Sequence, residues 1–211
     1  MIYFTSDLHL GHKRIIGDFS QRPFLTIEEH DQHIIDQINR YVGPKDILWH
    51  LGDFSWGDVG HYRQRIKCRQ IHAIIGNHDK RGQLERNFTT VQSTKELKLG
   101  DQKIFMSHYP HVYWPSSHYG SIHIYGHLHY YREELMDLMM PGRRAMDVGI
   151  DAAFHKFGEY RPFTEAEVLT LAKRPGHHDT QVERGMQELW NRQRNRQRDD
   201  KTKKSTQKIM P

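Results

Sequence analysis

The chain has 211 residues, 36% of them hydrophobic, with one cysteine, 17 histidines and a formal net charge of +5. That length suits one domain, or one domain and a tail, and allows a substantial core. A single cysteine, Cys68, excludes an internal disulfide framework, and no apolar run approaches the roughly 20 residues of a membrane span. The opening MIYFTSDLHLGH lacks the basic start and long apolar stretch of a signal peptide, so a cytoplasmic protein without membrane association is expected. The charge is uneven: from Arg192 onward eight Lys and Arg face only Asp199 and Asp200, a net of +6 that leaves −1 for the rest.

Taken in chain order, IYFTSD at 2–7 predicts a short strand ending in polar residues. Residues 26–42 read as a helix. Thr26 and Glu29 have the spacing of a capping box, Ile34, Ile35, Ile38 and Val42 share a face, and Gly43-Pro44 stops it. DILWHLGD at 46–53 is a second strand with a Gly-Asp turn, followed by a helix near 58–67. QIHAIIGNHD at 70–79 repeats the plan. Shorter strands are expected at Lys95–Leu99, Lys103–Ser107, Ser121–Gly126 and Ala145–Gly149, with a helix capped by Thr164 and Glu167 after them. Early alternation of strands and helices with strands clustering later argues for an α/β protein with a mixed sheet or two sheets. The expected division is a domain over 1–175 and an appendage over 176–211, the latter a helix near 180–192 and a polar, basic tail.

One event recurs along the chain: an apolar strand ends and a metal-ligand type follows. Asp7-x-His9, Asp53, Asn77-His78-Asp79, His108 and His127-x-His129 all stand in such positions. Ligands of open α/β sheets collect beyond the carboxyl ends of the strands. Residues i and i+2 of an extended segment share a side, so Asp7 with His9 and His127 with His129 can each act as a two-toothed ligand. Carboxylate, imidazole and amide oxygen together suit Mn²⁺, Fe or Zn²⁺, and the lack of thiolates argues against a structural zinc site.

In this order the segments DLH, GD, GNHD, SHYP and GHLH resemble the calcineurin-like metallophosphoesterase superfamily over residues 1–151, GNHD and GHLH being the most specific. The resemblance implies a four-layer α/β/β/α sandwich of two mixed β-sheets flanked by helices, with a dinuclear metal site at the strand ends. It implies that Asp7, His9, Asp53 and His129 hold one divalent ion. Asp53, Asn77, His108 and His127 hold the other, with Asp53 bridging; manganese is expected first, with Fe, Zn, Ni or Mg as alternatives. His78 matches the family's catalytic histidine and Asp79 its orienting partner. The implied reaction is hydrolysis of a phosphate ester by a metal-bridging hydroxide, with His78 assisting the leaving group. No ligand position is missing, which weighs against an idle scaffold.

The expected substrate is a small phosphorylated or nucleotide-like diester or monoester, because about 175 residues leave no room for an inserted substrate domain. The alternative is a nuclease or end-processing phosphoesterase tethered to nucleic acid by the basic segment 192–208. Four features have weaker claims. His12 is balanced between phosphate contact and a plain turn, and Lys13 and Arg14 favour a solvated turn. Tyr109, His111, Tyr113 and Trp114 favour loop packing over stacking on a base. Asp147-Val148-Gly149 either supports His127 or His129 or merely ends a core strand.

Overall fold

The computed structural model describes residues 1–17, 20 and 22–172. The expected helix near 180–192 and the basic tail lie outside them. By its contacts the chain divides into two units, and the architecture described here is that of the first, Met1–Met140 with Arg144–Arg174.

The elements run β1 (Ile2–Thr5), α1 (Ile27–Tyr41), β2 (Ile47–His50), α2 (Val59–Arg63), β3 (Gln70–Ile74), α3 (Arg81–Asn87) and β4 (Thr90–Gln92). There follow β5 (Thr94–Leu99), β6 (Gln102–Ser107), β7 (Ile122–Tyr125), α4 (Glu133–Met139), β8 (Ala145–Asp147), α5 (Ile150–Phe157), β9 (Phe163–Thr164) and α6 (Glu165–Leu171). One sheet has the order β4-β3-β2-β1-β9, parallel except for β9; the other is β5-β6-β7-β8, parallel except for β5. The fold is therefore α/β with two mixed sheets flanked by helices, as the sequence implied. None of the helices among the described residues is long and apolar enough to cross a membrane.

Side-chain alternation explains the layering. Tyr3, Leu48, Ile71 and Ala73 of the first sheet meet Ile34, Ile35 and Ile38 of α1, Val59 of α2 and Leu84 of α3. The intervening residues Phe4, Trp49 and Ile74 face Ile104, Met106, Ile122, Ile124 and Met146 of the second sheet. Successive residues of a strand point to opposite faces, so one short apolar strand supplies two cores. Each fully buried aliphatic or aromatic side chain contributes roughly 1.5–3 kcal/mol. The outer face of the second sheet carries His123 and Tyr125, whose polar atoms are used: the His123 ring accepts from His111 N, and the Tyr125 hydroxyl donates to Glu133 of α4.

The helix starts follow the sequence with one shift. Thr26 Oγ1 accepts from Glu29 N at 3.1 Å, but the Glu29 carboxylate takes Leu25 N rather than closing a full box. At α6 both halves of the Thr164–Glu167 box are made. The sequence reading lacked α3, β4, α4, α5 and β9; all are short, and the two strands have only three and two residues. Parallel pairing of β1 with β2 and β3, and of β6 with β7 and β8, sends the carboxyl ends within each set the same way.

Candidate dinuclear metal centre

The segments that leave those strand ends converge on two sets of donors. Asp7, His9 and His129 form one, and Asp53, His108 and His127 the other, each with its donor atoms within 4.8 Å of one another. Each set draws on both sheets: Asp7, His9 and Asp53 follow β1 and β2, whereas His108, His127 and His129 follow β6 and β7. Asp53 Oδ2 lies 3.4 Å from His108 Nε2 and 3.7 Å from His9 Nε2, so one carboxylate oxygen faces both sets. Asp7 Oδ1 lies 3.8 Å from His9 Nε2 and 3.9 Å from His129 Nε2. Asn77 joins the second set, its Oδ1 2.9 Å from His108 Nε2. The seven residues proposed as ligands from the sequence are thus brought together in one place.

The hydrogen bonds divide each donor residue into a fixed side and an open side. Asp53 Oδ1 accepts His78 N at 2.9 Å, leaving Oδ2 to the cluster, and Asp7 Oδ2 accepts His127 N at 2.9 Å, leaving Oδ1. His108 Nδ1 donates to Leu51 O at 2.8 Å, which orients the ring so that Nε2 faces inward. His129 Nδ1 is tied to Asp151 Oδ2 at 2.6 Å. Asp7 Oδ1 and His9 Nε2 are fully buried and make no hydrogen bond. Buried polar atoms are almost always satisfied, so two inward-facing orphans beside carboxylates fit a divalent cation. The donors are oxygen and imidazole nitrogen without thiolate, in keeping with the metal types expected.

The backbone carries the same signal. Asp7, His9, Asp53, His127 and His129 all have positive φ, between 50° and 69°. Left-handed backbone costs a non-glycine residue about 1–3 kcal/mol, and such strain gathers at functional sites. Glycines let the strand ends close in: a Cβ at Gly52 (φ +103°) would strike the His108 ring and stand 2.7 Å from Gly76 Cα, and one at Gly126 would strike Ser6 and Asp7.

Electrostatics separate the two central imidazoles. Burial, aided by His129 and Arg22, pushes His9 down to about 2, so it is a neutral ligand in waiting. Burial works the same way on His108, but its hydrogen bond to Asp53 and the charges of Asp7 and Asp53 overcome it and raise the group to about 9. Asp53 itself is held below the usual carboxylate range by His108 despite its burial.

Several residues that the sequence left without a role prove central. Arg22 is fully buried, and its guanidinium grips Asp151 through two bonds of 2.8 Å. It also donates to Asp7 O at 2.7 Å and Leu8 O at 2.9 Å, and meets His30 Nε2 at 2.9 Å. His30 leans on Asp31, which accepts Gly11 N. A chain of charged and polar groups therefore runs from Asp31 through His30, Arg22 and Asp151 to His129. No local motif announces it; only the Arg-Pro pair at 22–23 marks a fixed turn.

One expectation needs correction and one open alternative is decided. Asp79 does not orient the His78 ring: its carboxylate accepts Asp53 N, Phe54 N and Gly76 N, three main-chain donors that pin the Gly-Asp turn. Of the two readings of Asp147, the end of a core strand is the one observed: it closes β8, accepts Tyr130 N and Gly149 N, and burial beside Asp7 and Glu133 raises it to about 7. His78 is exposed and lines a cavity of about 300 Å³ together with His9, His12, Arg14, Trp56 and His129. Lys13 is exposed and not in that lining. Of the aromatic loop, Tyr109 abuts His127 at 4.5 Å between ring centres, while His111 and Trp114 turn to packing around His123.

Comparison with known proteins agrees with this geometry. Residues 1–142 match the family model described as the calcineurin-like phosphoesterase superfamily domain. The chain is similar to the Gene 66 protein of Mycobacterium phage D29, 28% identical over 184 residues, which cover 72% of this chain and 88% of that protein. It is also similar to protein MJ1445 of Methanocaldococcus jannaschii, 29% identical over 159 residues, covering 74% and 84%. Among solved structures, AQ665 from Aquifex aeolicus, described as a protein of unknown function, superposes with a TM-score of 0.63 at 25% identity, covering 81% of this chain and 98% of that one.

Proposed function

Because the chain belongs to the calcineurin-like phosphoesterase superfamily, and is a divalent-metal-binding hydrolase of phosphate esters, we propose that it cleaves a small nucleotide-like phosphodiester or phosphomonoester with two manganese ions. The observation that carries this reading is Asp53 Oδ2, open to His9 on one side and His108 on the other. Asp7, His9, His129 and Asp53 would hold one ion; Asp53, Asn77, His108 and His127 would hold the other.

Two divalent cations held there would supply Lewis acidity, for activating water at neutral pH and for neutralising the phosphate oxygens. The protein does the rest. His108 and His129 are kept in register by Leu51 O and Asp151, so their Nε2 atoms face the cluster, and His108 would give up its Nε2 proton as an ion binds. His78, at the cavity wall and 5.5 Å from the His9 ring, is placed to give a proton to the departing ester oxygen. Its backbone N–H donates to Asp53 Oδ1, which ties the proposed proton donor to the carboxylate that would be shared between the ions.

The test is metal analysis followed by turnover of bis-p-nitrophenyl phosphate, p-nitrophenyl phosphate and 2′,3′-cyclic nucleotides with Mn²⁺, Ni²⁺ or Mg²⁺. Two bound ions per chain and Mn²⁺-dependent hydrolysis are expected. Asp53→Asn should lose both, and His78→Ala should keep its metals while turning over about 10²–10⁴-fold more slowly. A metal-loaded wild type that cleaves none of these, or a fully active His78→Ala, overturns the reading. The eight basic residues after position 191 favour one further arm, a single-stranded oligonucleotide at low salt.

A further inference from the structure

Trp56 lies three residues beyond Asp53 and is 53% exposed, although it belongs to neither core. Its position is fixed from two directions. Its backbone N–H donates to Leu10 O at 2.7 Å, and the neighbouring Ser55 bridges Leu10 in parallel. Its indole lies flat against the His12 ring, with centres 4.6 Å apart and an 11° angle between planes. The His78 ring stands 5.3 Å away. The site thus has an aromatic surface held rigidly beside the residue placed to protonate the leaving group.

The cavity it borders mixes two chemistries, joining Ile15, Trp56 and Leu128 to His9, His78 and His129. At about 300 Å³ it is at the small end of ligand clefts. A phosphate needs only the imidazole side. The apolar side needs a substrate with a second, flat and apolar part. An alkyl chain would gain from burial alone, whereas a planar ring also gains from stacking on a surface already immobilised by His12.

We propose that this cavity binds an aromatic ring of the ester, a nucleobase, stacked on Trp56, and that Trp56 thereby determines specificity. The inference rests on the phosphoesterase reading for where the phosphate sits, and it narrows the substrate to esters carrying such a ring. His12 acts as a positioning residue, backing the indole.

The decisive experiment is calorimetric binding of adenosine 5′-monophosphate and ribose 5-phosphate, each as its non-hydrolysable 5′-methylenephosphonate, to the full, Mn²⁺-loaded chain, in wild type, Trp56→Ala and Trp56→Phe. The two probes share sugar and phosphonate and differ by the base. Wild type should bind the nucleotide at least about tenfold more tightly, as one base–aromatic stack supplies. Trp56→Ala should lose that advantage while keeping its affinity for the ribose probe, and Trp56→Phe should restore most of it. Equal binding of both probes by wild type, binding of neither, or an advantage that survives in Trp56→Ala overturns the proposal. Hydrolysis of bis-p-nitrophenyl phosphate, measured alongside, separates the two readings. Base-selective binding through Trp56 without hydrolysis sinks only the activity, and hydrolysis without base selectivity sinks only the specificity.

Discussion

The two donor sets use the same side-chain chemistry but are held in place by opposite means. Behind Asp7 and His129 stands a buried side-chain network, Arg22, Asp151, His30 and Asp31, and the main chain adds His127 N on the Asp7 carboxylate. Asp53 and His108 are braced by the main chain. Leu51 O holds the His108 ring, His78 N holds Asp53, and Asp79 gathers three amide hydrogens beneath the turn. Glycines at 52 and 76 make that close approach of backbones possible. One half of the centre is therefore the more sensitive to lost charge, the other to added volume between close backbones.

The strongest blow to this contrast falls on Arg22. In Arg22→Met the Asp151 carboxylate and the carbonyls of Asp7 and Leu8 lose their buried donor. Removing one partner of a buried ion pair costs about 3–5 kcal/mol, to be read from urea unfolding of the metal-free chain. Next comes Gly52→Ala, which sets a methyl group against His108 at φ +103°. It should cost about 2–4 kcal/mol and weaken the second ion selectively. If both variants lowered affinity for both ions equally, the two halves would not be separately braced.

Asp151→Asn is gentler, keeping the shape but removing the charge behind His129. Affinity at the first set should fall about 10–100-fold, the usual effect of an altered ligand partner, with the second ion retained in competition with a chelator. The last effect is on pH. His108 is raised to about 9, so an ion entering the second set must expel its proton. Affinity should rise by up to about tenfold per unit as pH approaches 9 and level off beyond it. The metal-free fold responds in the opposite sense: the raised His108 contributes its full stability below about 6.5 and loses it as pH climbs through 9. Proton release in buffers of different ionisation enthalpy measures the first trend, and apo-protein unfolding against pH the second.

Most of the site was legible because a ligand type after each apolar strand is a local pattern. The seven candidate ligands sit at strand ends that alternation alone locates, and the two sheets follow from the same strands. Asp151 and Arg22 were hidden for the converse reason. Asp151 opens a helix whose eight residues show no clear start beyond Gly149, and Arg22 acts through contacts more than a hundred residues away in sequence. Asp79 misled because sequence spacing places it next to His78 but says nothing of the three amides competing for its oxygens. His12 was evenly balanced as a sequence feature, and only its stacking on Trp56 gives it a place.

The five donors with left-handed backbone have one more consequence, for how this chain would change under selection. At each of those positions a glycine would relax the main chain, and at the histidines an asparagine would also sit more comfortably. A laboratory population selected only for heat resistance without added metal should therefore drift first at 7, 9, 53, 127 and 129, and fall silent as a hydrolase while growing hardier. Selected with metal present, the same positions should stay fixed, because there the bound cations give those donors a reason to remain.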